Sequence, residues 1–233
     1  MSLADELKTY VAETHRTAWT LRDGTVVPDP DDLKLSNEAV KLDGTVLYAD
    51  LAHSTDMVNG YKNWFAAEVY KNYLYCAARI IRMHDGVITA YDGDRVMGVF
   101  IGGSKNSNAA KCALRINAAV ANIIKPAITK EYPDTTFNLE QRVGIDTSEL
   151  FIARTGIRGS NDLVWVGKAA NNAAKMAALS TTYPSYISEG VYTQLAADSK
   201  YADVKNLRDD MWTNLGTSDL GYTIYGSRYS WAF

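Results

Sequence analysis

The stretch Gly44-Thr-Val-Leu-Tyr-Ala-Asp50 constrains the fold more than any other. It is a run of β-forming residues, opened by Asp43-Gly44 and ending on a carboxylate, and a helical pattern follows it almost at once. A strand that turns directly into a helix needs a sheet behind it and a covering layer in front, so the expected class is α/β. The helical period runs from about Asp56 to His84 through Val58, Tyr61, Phe65, Tyr73, Cys76, Ala77 and Ile80, and Asp85-Gly86 stops it. Val87 to Tyr91 and Arg95 to Ile101 then read as a hairpin turning at Asp92-Gly93, with Asp94 at its tip.

A second helical pattern spans Ser107 to about Tyr132, where Pro126 predicts a kink or a boundary. Leu139 to Asp146 and Leu150 to Thr155 read as a strand pair, Gly156 to Asn161 as a mobile loop, and Leu163 to Val166 as a short strand. Gly167 opens a helix that holds Asn171 and Lys175. The order β-α-β-β-α-β predicts a ferredoxin-like core with further αβ elements after it, an α+β variant of the class. Residues 1–40, with Leu3, Leu7 and Val11 at helical spacing and then Pro28-Asp29-Pro30, read as a lead-in or dimer arm before a domain over 41–233. The aromatic stretch Tyr222 to Phe233 reads as an edge hairpin or a subunit contact.

Composition narrows the partners. The 24 Lys and Arg against 27 Asp and Glu leave a formal charge of −3, so there is no basic field for nucleic acid, and an anionic ligand must be held locally. Cys76 and Cys112 fall in helical stretches and suit a reducing compartment better than a disulfide framework. Charged Asp5, Glu6 and Lys8 stand where a leader would be apolar, and no apolar run is long enough to cross a bilayer, so the expected place is the cytoplasm, with no membrane contact.

Asp50 at a strand end and Asp94 on a hairpin tip are hard oxygen donors on rigid backbone, the kind that divalent cations require. Taken singly they also fit ordinary turn capping. Between strand and helix, Asp50-Leu-Ala-His-Ser-Thr55 exposes backbone N–H groups beside the first carboxylate, which suits a phosphate chain at His53, Ser54 and Thr55. Thr55 equally suits a helix cap, and His53 a solvated side chain.

Three ordered motifs, Tyr48-Ala-Asp50-Leu-Ala-His-Ser-Thr55, Asp92-Gly-Asp94-Arg-Val-Met-Gly-Val-Phe100 and Val164-Trp-Val-Gly167 with Asn171, resemble those of the class III nucleotide cyclases over roughly residues 44–179. Tyr-x-Asp with Ser-Thr, followed by Asp-Gly-Asp-Arg-Val-Met, is most similar to the pyrimidine cyclases of bacterial anti-phage systems. The resemblance implies two divalent ions, Mn²⁺ or Mg²⁺, held by Asp50, Asp94 and the carbonyl of Leu51. It also implies attack of the ribose 3′-hydroxyl on the α-phosphate, with pyrophosphate leaving. Asn171 would orient the ribose, and Lys175 stands where the family has a transition-state Arg, with Arg154 and Arg158 as candidate replacements. Because the family splits these two sets between subunits, the resemblance implies a homodimer with two shared sites.

Base choice is read from three positions. Ala90 and Val164 occupy places where purine cyclases carry polar selectors, and apolar side chains there supply no purine hydrogen bonds. Tyr48 shares a strand face with Asp50, so its ring either narrows the pocket towards a pyrimidine or belongs to the core. UTP, giving 3′,5′-cyclic UMP, is the expected substrate. CTP, a purine triphosphate and a catalytically dead dimerisation module remain as alternatives.

Overall fold

The computed structural model describes residues 1–179, 182–204 and 207–232. In chain order the elements begin with α1 (Leu3–Arg16), β1 (Thr20–Asp23), β2 (Glu38–Ala52), α2 (Ser54–Gly60), α3 (Asn63–Met83), β3 (Val87–Asp92) and β4 (Arg95–Phe100). Next come α4 (Lys105–Ala119), a π turn (Val120–Ile124), α5 (Lys125–Glu131), β5 (Glu140–Ile157), β6 (Ser160–Val166) and α6 (Lys168–Ala177). The last are β7 (Ser185–Ser188), α7 (Glu189–Tyr192), α8 (Ala197–Lys200), β8 (Tyr201–Val204), β9 (Leu207–Asp210), β10 (Thr213–Thr217) and β11 (Thr223–Ser227). Two compact units result: Met1–Asp43 with Glu149–Gly167, and Gly44–Ser148 with Lys168–Phe233. Strands β2 and β5 contribute residues to both.

The larger unit is built on a sheet of order β10-β11-β7-β5-β2-β4-β3. Its β5-β2-β4-β3 part is the ferredoxin-like arrangement, and β7, parallel to β5 through α6, extends it. Alternation along β2 sends Leu47, Ala49 and Leu51 into a core shared with Phe65, Val69, Tyr73, Ala77 and Ile81 of α3 and with Ala109, Ala113 and Ile116 of α4. Burying these side chains, at roughly 1.5 to 3 kcal/mol for each large one, is what fixes the strand that carries Asp50. Tyr222 to Ser227 forms part of the β10-β11 hairpin at the sheet edge, and Phe233 lies outside the described residues.

The smaller unit holds α1, the β1-β2 parallel pair and the β5-β6 hairpin. Arg154 fastens it: its guanidinium donates to Asn161 Oδ1 (2.7 Å), the Leu33 carbonyl (3.1 Å) and Asp31 Oδ1 (2.9 Å). None of α1 is buried, so Leu3, Leu7 and Val11 stay exposed.

Several elements differ from the sequence-based expectation. The strand that carries Asp50 starts at Glu38 rather than Gly44, because Glu38 to Lys41 pair with β1, a strand inside the expected lead-in. The single helix over 56–84 is two, broken at Tyr61 and Lys62. The expected strand pair over Leu139–Asp146 and Leu150–Thr155 is one 18-residue strand, whose second half pairs with β6. The expected loop Gly156–Asn161 is the turn of that hairpin, with Gly156 (φ 108°) and Gly159 (φ 84°) supplying conformations that L side chains avoid. Pro126 sits in the first turn of α5. The π turn just before it, in which Lys125 N–H reaches back to the Val120 carbonyl, absorbs the proline's missing donor without ending the helical run.

Candidate active site

The site is assembled at the end of β2 in the larger unit. Strand alternation gives Tyr48 and Asp50 the face opposite the core residues Leu47 and Ala49. Registers Tyr48↔Met97 and Ala90↔Met97 then place Tyr48, Met97 and Ala90 in one row across three strands. At about 4.8 Å per strand, that row sets Tyr48 and Ala90 about 10 Å apart with buried Met97 between them. Met97, buried in the middle of that row, is a residue that sequence reasoning did not single out.

At the hairpin tip, Asp92 pairs with Arg95, so the two-residue turn is Gly93-Asp94, one place later than expected, with Gly93 at φ 61°. Asp94 is half-buried on that turn. Burial pushes the carboxyl of Asp50 up to about 6, the charge of Asp94 adds to the effect, and Arg95 and the Leu51 backbone N–H oppose it. The two carboxylates therefore lie within each other's field. Arg95, two residues before Met97, faces the same side of the sheet. Its guanidinium donates to Asp92 at 2.5 Å and lies 5.7 Å from the Tyr48 ring centroid, a cation–π contact on the same face as Asp50.

Two tyrosines of α3 close the carboxylate end. The fully buried Tyr73 hydroxyl donates to the Asp50 carbonyl at 3.3 Å. Tyr70 is hydrogen-bonded to the Ser54 side chain, and its hydroxyl is pushed up by burial and by the charges of Asp94 and Asp50.

Between β2 and α2 the chain turns on His53, held left-handed at φ 60° and ψ 27°. The first intrahelical bond is Met57 N–H to the His53 carbonyl (3.1 Å), so the N–H groups of Ser54, Thr55 and Asp56 precede it, as a phosphate-receiving turn requires. Thr55 does not cap the helix; His53 holds that position and its side chain makes no capping bond.

His53 also lines a cavity of about 440 Å³ with Lys125, Glu140, Gln141 and Arg142. Gln141 is 2 % exposed and both its amide atoms lack partners, while Arg142 pairs with Glu140 at 3.1 Å. These residues were hidden in the sequence by a strand that reads as plain core; the only signal was a charged pair, Glu140 and Arg142, on an otherwise buried strand.

Asn171 and Lys175 lie one turn apart on the exposed side of α6, whose Ala169, Ala173, Met176 and Ala177 are buried. Among the described residues no hydrogen bond or ion pair joins them to the carboxylates. Val164 is exposed on β6 in the smaller unit. Arg154 is committed to three partners there, which leaves it poorly placed to substitute for a transition-state cation.

No group of three or more His, Cys, Asp or Glu side chains among the described residues surrounds a metal position. The donor set on offer is two carboxylates with backbone oxygen. That set fits a hard divalent cation, since a positive charge beside Asp50 and Asp94 would offset both the burial and the repulsion that hold the Asp50 carboxyl near 6. No helix of the described chain is long and apolar enough to cross a membrane.

No protein-family model matches the chain. It is 51 % identical over 233 residues to a uridylate cyclase of Xanthomonas perforans and 53 % identical over 233 residues to a uridylate cyclase of Burkholderia cepacia, with 99 % of each chain covered in both cases. Among solved structures it resembles the adenylyl cyclase CyaB of P. aeruginosa at a TM-score of 0.68 and 18 % identity, covering 83 % of this chain and 97 % of that one. The guanylate cyclase domain of RhGC from Catenaria anguillulae, solved with GTP, matches at a TM-score of 0.64 and 15 % identity, covering 82 % and 99 %.

Proposed function

Because the chain belongs to the uridylate cyclases of the class III nucleotide cyclase family and is a nucleotide cyclase, we propose that it converts UTP to 3′,5′-cyclic UMP and pyrophosphate. The observation that carries the reading is the shared field of Asp50 and Asp94 beside a turn with forward-pointing N–H groups. Divalent Mn²⁺ or Mg²⁺ held by Asp50, Asp94 and the Leu51 carbonyl would acidify the ribose 3′-hydroxyl and compensate charge at the α-phosphate.

The chain's own groups do the rest. The turn His53-Ser54-Thr55 receives the phosphate chain, with Tyr70 fixing the Ser54 hydroxyl. Arg142 and Lys125, in the cavity that opens on His53, receive the leaving phosphates. Tyr48, stiffened by Arg95 and backed by Met97, bounds the base pocket with Ala90, and Val164 remains the third apolar position read for base choice. A pyrimidine suits a pocket narrowed by an aromatic ring and short of polar selectors. Asn171 orients the ribose and Lys175 offers charge to the developing phosphorane from a second copy of the chain, so the active form is a homodimer with two shared sites and the catalytic domain is 41–233. Its place is the cytoplasm, and the cyclic nucleotide serves as a messenger in defence against phage, a role carried over from the resemblance to pyrimidine cyclases.

Purified protein with Mn²⁺ and each of the four nucleoside triphosphates in turn tests the reading, with cyclic UMP the expected dominant product. Cyclic CMP would replace the substrate, and cyclic AMP or GMP would overturn the pyrimidine reading. Asp94→Ala, on a hairpin turn outside the core, should abolish turnover with the melting temperature little changed; full activity would sink the metal assignment.

A further inference from the structure

Helix α6 lies against one face of β5, and three contacts fix it there. Ser148 Oγ accepts from Ala169 N–H at 3.1 Å, capping the start of the helix. Asp146, 5 % exposed, accepts from the Asn172 side-chain amide at 2.7 Å on one oxygen and from the Ser188 hydroxyl on the other. At Gly144 the helix backbone comes so close that an added Cβ would stand 2.1 Å from the Ala173 carbonyl and 2.6 Å from the Ala177 nitrogen.

The spacings are commensurate. Residues 144 to 148 alternate onto one face of the strand and span about 13 Å, while residues 169 to 177 rise about 12 Å along the helix. Ala169, Ala173 and Ala177 follow one another at four-residue intervals and form a single seam, and a helix held only along a seam can still roll about it. Asn172 lies one residue, about 100°, to the side of Ala173. Its bond to Asp146 is the lateral contact that opposes roll. Asp146 is itself held on its far side by Ser188, which also caps α7 by accepting from Val191 N–H at 3.3 Å.

Asn171 and Lys175 sit on the opposite side of the helix, about 200° and 240° from Ala169, so they feel any roll at full leverage. With side-chain tips about 5 to 6 Å from the axis, a roll of about 10° moves them by about 1 Å. We infer that Asp146, through its hydrogen bond to Asn172, is a positioning residue that sets the angle at which α6 presents Asn171 and Lys175. This rests on the functional reading above, in which those two side chains act on the nucleotide.

The test uses the full-length protein with Mn²⁺ and UTP. Asn172→Ala should lower kcat by about 10- to 100-fold, the loss that a 1 Å misplacement produces, with KM within about threefold of wild type. The pair Asp146→Asn with Asn172→Asp rebuilds the bond with donor and acceptor exchanged and should recover most of the loss. A purely structural contact would lower the melting temperature and leave kcat per folded enzyme unchanged; that result, or a folded exchange variant as impaired as Asn172→Ala, overturns the inference. Should Asn172→Ala not fold, Ser188→Ala loosens Asp146 from its other oxygen and should lower kcat severalfold, and an unchanged kcat there is equally fatal. Wild type and Asn171→Ala are run alongside. If wild type makes no cyclic nucleotide, or Asn171→Ala keeps full activity, the functional reading falls and takes the inference with it; if both controls behave and Asn172→Ala keeps its kcat, the inference alone fails.

Discussion

Gly144→Ala asks how closely helix and strand must approach for this protein to work. The new methyl would meet the Ala173 carbonyl at 2.1 Å, the Ala177 nitrogen at 2.6 Å and Met176 Cβ at 2.8 Å, and ordinary contact begins near 3.4 Å. Two of these neighbours are backbone, so no side-chain rotation relieves the clash. The helix has to retreat by about 1.3 Å, since a close-packed interior offers no slack. Overpacking of this kind costs about 1 to 3 kcal/mol, and for a chain of this length each kcal/mol lowers the melting temperature by about 2 to 4 °C. Urea titration should show a lower midpoint with an unchanged slope. Because α6 carries Asn171 and Lys175, kcat of the folded variant should fall by about 100-fold. A midpoint within error of wild type together with full turnover would refute the proposed dependence of catalysis on that approach.

Asp50 supplies a pH signature in metal-free protein. Its folded carboxyl is raised from 3.8 to about 6, so the stability gained in the protonated form is complete below about 4 and is lost as pH rises through about 6. Asp50→Asn should therefore stabilise the metal-free protein by about 1 kcal/mol more at pH 7.5 than at pH 4.5 after allowing for solvent screening, read as a larger rise in melting temperature at the higher pH; an equal or reversed effect would contradict the burial argument. Cys112 is fully buried with its thiol pushed well up by burial, and Cys76 is half-buried with a smaller rise. Alkylation of native protein at pH 8, followed by mass spectrometry, should label Cys76 slowly and Cys112 only after denaturation.

The parts of the fold that were legible in the sequence are those where local pattern and tertiary demand coincide. Gly44 to Asp50 alternates into a core, and Asp-Gly-Asp supplies its own turn. What was missed depended on distant partners. Glu38 to Lys41 are strand because β1 lies beside them, and Thr147 to Glu149, a polar run that reads as a break, continues β5, with Thr147 Oγ1 bonded to Thr45 and to the Gly44 carbonyl of β2. Asp50 and Asp94 were visible as carboxylates at element ends. Their shared field was not, since it comes from the β2-β4-β3 pairing. The place of Arg95 likewise follows from register: two residues before Met97, it stands on the Tyr48 and Asp50 face, and its bond to Asp92 holds it there. Gln141, Arg142 and Lys125 belong to elements far apart in sequence, and only the cavity brings them together.

His53 occupies a left-handed backbone conformation, one of two described non-glycine residues with positive φ, the other being Asp85. A side chain in that conformation costs about 1 kcal/mol that glycine would not. A screen for thermal tolerance alone would thus select His53→Gly, and the same substitution would strip the imidazole from the cavity mouth and loosen the turn after Asp50. On the proposed role of this turn, robustness and turnover pull in opposite directions at His53, which makes it a place where laboratory evolution of a hardier enzyme would first go astray.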